Sequence, residues 1–104
     1  MVQAIRYIQT FTNDLSFEEY LDDVRTTSAV ERQFEILGEA ARRISEEFRQ
    51  MHRAIDWQRI VGLRNIVIHR YDEVDQDTLW AIAGSELAPL LSQLEPLLSP
   101  LPEE

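Results

Sequence analysis

The segment from Trp57 to Tyr71 (Trp-Gln-Arg-Ile-Val-Gly-Leu-Arg-Asn-Ile-Val-Ile-His-Arg-Tyr) is where this sequence could do chemistry. Arg64, Asn65, His69, Arg70 and Tyr71 interrupt an otherwise apolar helical run. Arginine offers a planar fork of donors to an anion. Histidine, with a reference pKa of about 6.5, gives or takes a proton near neutrality. Asn65 and His69 stand at i,i+4 and share a helix face. Arg64 and His69 stand at i,i+5, about 140° apart on an ideal helix. A long guanidinium arm, or a symmetric second copy, could still bring them together. Tyr71 is at i,i+7 from Arg64 and aligns with it if the helix continues, although Asp72-Glu73-Val74-Asp75 argues for a stop. Simple packing also accounts for these residues. Arg64 could pair with Glu39 or Glu35 of a neighbouring helix, His69 could sit on a helix dipole, and Tyr71 could be half-buried.

Helices must position these groups. Glycine occurs at 38, 62 and 84 alone, proline at 89, 96, 100 and 102, and no alternating pattern is long enough for a strand. Val30, Phe34, Leu37, Ala41, Ile44 and Phe48 recur at helical spacing, which predicts one helix from about Thr26 or Thr27 to about Arg49. On its other faces Glu39 can pair with Arg42 and Arg43. Gly38, costly inside a helix, predicts a close helix crossing or a dimer seam. Residues 2–12 form a first helix with Ile5, Ile8 and Phe11 inward. Ser16 and Glu19 make a capping box for a short helix through about Val24. Asp56 caps the helix of Ile60 and Leu63. Asp75 or Asp77 caps a last helix running to Leu94, which Pro89 bends. The fold expected is an all-α, up-and-down bundle of four main helices plus a short one, a single domain over residues 1–98 with a disordered tail over 99–104.

Composition excludes several function classes. The 104 residues contain no cysteine, so disulfides and thiolate chemistry are ruled out. Two histidines, His52 and His69, are too few for most histidine metal sites, so no metal is expected. There is no glycine-rich phosphate loop and no nucleophile elbow. No apolar run spans a bilayer and no secretory signal is visible, so no membrane partner and a cytoplasmic location are expected. The net charge of −9 argues on its face against nucleic acid, but it is unevenly spread. Residues 32–70 carry eight arginines and five acids, whereas residues 71–104 carry eight acids and no base. All ten basic residues are arginine.

Arg64-x-x-x-x-His69-x-Tyr71 resembles the R-x4-H-x-Y signature of HEPN-domain proteins, specifically the HepT-like toxins. Phe17-Glu-Glu-Tyr-Leu, Glu35-Ile-Leu-Gly-Glu-Ala-Ala-Arg42, Trp57-x-x-Ile60-x-Gly62-x-Arg64-Asn65 and Val74-Asp75 with Leu79-Trp80 also look like that family. The resemblance covers most of the chain. It implies a HEPN-type bundle that forms a homodimer. It implies a ribonuclease toxin of a type II-like toxin–antitoxin system, beside a minimal nucleotidyltransferase antitoxin. It further implies control by AMP transfer from ATP onto Tyr71. The chain lacks the nucleotidyltransferase pattern, a Gly-Ser start followed by a spaced Asp-x-Asp pair, so ATP enters as a donor used by the partner. No cofactor is expected.

On that resemblance the expected reaction is metal-independent cleavage of RNA (transfer or messenger RNA) by its own 2′-hydroxyl. His69 would transfer protons, Arg64 would hold the scissile phosphate, and Asn65 would orient the imidazole or donate to phosphate. Arg42, Arg43 and Arg70 are further candidates for phosphate contacts. The competing expectations are a non-catalytic nucleotide-binding module that partners a nucleotidyltransferase, and a structural dimerisation module.

Overall fold

Side-chain caps set most helix starts. Ser16 accepts from the Glu19 amide while the Glu19 carboxylate accepts from the Ser16 amide, which closes the expected capping box. Asp23, Ser45 and Asp75 accept from the amides of Thr26, Phe48 and Thr78 in the same way. Asp56 accepts from the Arg59 amide at 3.1 Å. The computed structural model describes residues 1–68 and 75–97. Within them run α1 (Val2–Thr12), α2 (Phe17–Leu21), α3 (Val24–Arg42), α4 (Glu46–Met51), α5 (Trp57–Ile68), α6 (Gln76–Ser85) and α7 (Leu87–Leu94), with a closing 3-10 turn at Glu95–Leu97. No strand occurs among the described residues, and the fold is the expected all-α bundle.

Three boundaries differ from the sequence expectation. The short helix ends at Leu21 instead of Val24, because Asp23 caps a new helix at once. The long helix expected to reach Arg49 stops at Arg42, and a separate α4 starts behind Ser45. Its apolar stripe nevertheless runs on: Val30, Phe34, Leu37 and Ala41 are buried in α3, and Ile44 and Phe48 pack against the same core across the break. Arg49 of α4 closes the joint by donating to the carbonyls of Ala41 at 2.9 Å and Arg42 at 3.2 Å at the end of α3, where the Ala41 carbonyl also accepts from the Ile44 amide. The last helix bends more sharply than expected and divides at Glu86 into α6 and α7. Pro89 lies in the first turn of α7, where its missing amide removes no intrahelical bond. The expected tail falls outside the described residues.

The core lies where α3 packs on α5 and α1, with α6 and α7 closing it through α1. Ile5, Ile8, Phe34, Leu37, Leu79 and Leu87 are fully buried there. Tyr20 is fully buried too, and its hydroxyl donates to Gln76 Oε1, while Gln76 donates onward to Glu31. This chain of bonds ties α2, α6 and α3 together. Trp57 is buried and Trp80 packs on Phe17 and Tyr20 at the core edge.

Candidate functional site

The site begins at the crossing of α3 and α5. A β-carbon built on Gly38 would lie 2.8 Å from Arg64 Cβ and 2.9 Å from the Arg64 amide nitrogen. No larger residue fits unless a backbone moves. The expected close crossing is therefore found, and it lies within one chain, between Gly38 and the backbone of Arg64. It fixes the next residue of α3, Glu39, beside the arginine of α5.

Glu39 is the hub of the charges. Arg42 donates to both its oxygens, at 3.2 Å from Nε and 2.6 Å from a terminal nitrogen. Arg43 Nε lies 3.4 Å and Arg64 Nε 3.7 Å from the same carboxylate. The hydrogen bond from Arg42 is the main force holding the Glu39 pKa below its ordinary value, and the charges of Arg42, Arg43 and Arg64 add to it. The same bond raises the pKa of Arg42. Around this hub opens a cleft of about 480 Å³ lined by Arg32, Glu35, Ile36, Glu39, Ala40, Arg42, Arg43 and Arg64. Four guanidinium groups face two carboxylates, so this part of a strongly acidic protein is locally positive.

Arg64, Arg42 and Arg43, expected as phosphate contacts, are thus brought together. Asn65 is exposed on α5 and does not line the cleft. His69, Arg70 and Tyr71 lie outside the described residues. Sequence reasoning missed Arg32 as a fourth cleft arginine. The signal was present, since Arg32, Glu35, Glu39, Arg42 and Arg43 recur at spacings of three and four along one face. Among the described residues no cluster of histidine or acidic groups could hold a metal ion. No described helix is long and apolar enough to cross a membrane. His52, given no role from sequence, caps the end of α4 and packs its ring on Phe48. A larger cleft of about 690 Å³ between α1, α6 and α7 contains one arginine, Arg6, which is paired with Glu95.

The sequence model of the Ribonuclease HepT-like family matches residues 1–97. The chain belongs to this family. The HepT-like chain is 35% identical over 97 residues to a protein of Thermococcus cleftensis named "Probable ribonuclease HepT", covering 93% of this chain and 88% of the relative. It is 36% identical over 95 residues to "Putative RNase MJ1380" of Methanocaldococcus jannaschii, covering 91% and 87% respectively. A third relative, "Putative RNase TTE0752" of Caldanaerobacter subterraneus subsp. tengcongensis, is 31% identical over 98 residues, with 94% and 88% covered. No solved structure matches. The resemblance drawn from Arg64, His69 and Tyr71 is thereby established as family membership. The HepT-like fold is the all-α bundle that this membership implies.

Proposed function

We propose that this HepT-like chain is the ribonuclease toxin of a toxin–antitoxin pair and cuts RNA as a homodimer without a metal ion. The observation that carries this reading is the convergence of Arg64 of α5 with Arg42 and Arg43 at the end of α3 in one positive cleft, Arg64 standing five residues before His69 and seven before Tyr71 in the sequence. The names of the relatives support the reaction class. In the reaction, the RNA 2′-oxygen forms a bond to the adjacent phosphorus and the bond to the 5′-oxygen breaks. One histidine accepts the 2′-hydroxyl proton and an imidazolium delivers a proton to the departing 5′-oxygen, leaving a 2′,3′-cyclic phosphate. In a two-fold dimer the two roles fall to His69 of each subunit. Arg64 holds the phosphate and counters the charge that grows on it. Asn65 orients the imidazole, and Arg70 extends the phosphate contacts.

Neutralisation is proposed to act at the same cleft. A separate nucleotidyltransferase moves AMP from ATP onto Tyr71: the tyrosine oxygen loses its proton and bonds to the α-phosphorus, and the bond to the β-phosphate breaks with release of pyrophosphate. The new phosphodiester then competes for Arg64, and the adenosine obstructs RNA.

The test is cleavage of total transfer and messenger RNA in excess EDTA, after mass spectrometry has excluded AMP on Tyr71. Wild type should cut and leave cyclic-phosphate ends, and folded His69→Ala should be inactive. A requirement for Mg²⁺ with 3′-hydroxyl products would overturn the mechanism. Tyr71→Phe should accept no AMP from the partner, and continued labelling of that variant would remove the tyrosine from its role.

A further inference from the structure

An arginine cleft meant for phosphate has no evident need of a carboxylate at its centre, yet Glu39 stands there. Its side chain is 29% exposed, so it is neither free in solvent nor sealed in the core. Among the described residues it is the one acid in contact with cleft arginines from both helices, Arg42 and Arg43 at the end of α3 and Arg64 on α5. The other acid of the cleft, Glu35, reaches Arg32 on its own helix. Glu39 cannot drift away with its helix, because Gly38 is locked against the Arg64 backbone.

We propose that Glu39 is a positioning residue that also acts as a resident competitor of RNA phosphate. Its carboxylate gathers the three guanidinium groups toward one point and occupies their donors until a phosphate displaces it. A carboxylate and a phosphate want the same fork of N–H groups, so the two anions exclude one another. The arrangement keeps the arginines converged in the empty protein. It also weakens retention of any polyanion, so that strands with few further contacts leave quickly. An arginine whose charge is already matched by Glu39 neutralises less phosphate charge, so fewer of the cations condensed on the RNA are released and the salt dependence of binding is correspondingly shallow.

The inference rests on the RNA reading, and its test separates the two. The probe is a fluorescein-labelled 2′-O-methyl RNA oligonucleotide, which cannot be cut by its own 2′-oxygen. Binding is followed by anisotropy from low to moderate salt for wild type, Glu39→Gln, Glu39→Asp and Arg42→Ala, each checked for a native melting transition. Glu39→Gln should bind roughly tenfold more tightly at low salt, a change equivalent to about 1.4 kcal/mol. Its plot of log affinity against log salt should steepen by roughly 0.7 for each arginine released. Glu39→Asp keeps the charge and should keep the wild-type slope, and Arg42→Ala should bind more weakly. If wild type binds and Arg42→Ala weakens it while Glu39→Gln is unchanged or weaker, Glu39 is no competitor and the RNA reading stands. If neither wild type nor Glu39→Gln binds at low salt, the RNA reading fails and the role of Glu39 falls with it.

Discussion

At the scale of single residues, Gly38 sets the geometry of the site. Alanine there would gain helix propensity of about 1 kcal/mol, but its methyl would meet the Arg64 backbone. The expected outcome for Gly38→Ala is a net loss of roughly 1–3 kcal/mol in urea unfolding. Gly84→Ala, where the new methyl would meet no described atom within 4 Å beyond its chain neighbours and its own helix backbone, should be neutral or stabilising. Tyr20 provides a second residue-scale test. Burial, then the charge of Glu31, raises its pKa from the ordinary 10.0. The unfolded chain therefore loses this proton at lower pH than the folded one, and stability should fall as pH rises above about 10. Tyr20→Phe should lose about 1 kcal/mol at neutral pH and show a flatter alkaline decline. The sequence made Gly38 conspicuous, but it left its partner open between another helix and another subunit. A missing side chain records that something comes close without recording what. Arg64 was legible by type and spacing, and so was its option of pairing with Glu39.

At the scale of elements, the starts were easier to read than the stops. Ser16 and Asp56 each precede an apolar periodic run and signal a beginning, and of the two caps offered for the last helix, Asp75 and Asp77, Asp75 is the one used. Ser45 was hidden because Ile44 and Phe48 continue the stripe of α3, so the periodicity reports a shared core and not a continuous backbone. Ser45 also lacks the partner glutamate three residues on that marks Ser16. Ser45→Ala should cost about 1 kcal/mol by freeing the Phe48 amide. Asp23 accepts from both the amide and the hydroxyl of Thr26, and these bonds lower its pKa from the ordinary 3.8. The stabilisation it gives α3 is present above that value and is lost as pH falls through its lowered pKa. Asp23→Ala should therefore lower the melting temperature at pH 7 and make less difference near pH 2.

At the scale of the molecule, a small core serves an uneven charge distribution. Phe34 is fully buried at the centre of α3, and Phe34→Ala should cost roughly 3–5 kcal/mol. Against a total stability of about 5–15 kcal/mol, thermal unfolding should begin more than 10 °C earlier. The positive stretch from 32 to 70 was visible in the chain, but the gathering of four of its eight arginines in one cleft required the crossing of α3 and α5. That crossing also has a consequence in time. Arg64 is held by the backbone contact at Gly38, and Arg42, Arg43 and Arg64 by Glu39, so the RNA docking proposed above would call for an exchange of partners and no slow rearrangement of helices. In rapid mixing with an uncleavable oligonucleotide, fluorescence should change in one phase whose rate climbs in proportion to concentration. A rate that levels off would reveal a hidden isomerisation, and Gly38→Ala, by loosening the crossing, is the variant in which such a plateau should emerge.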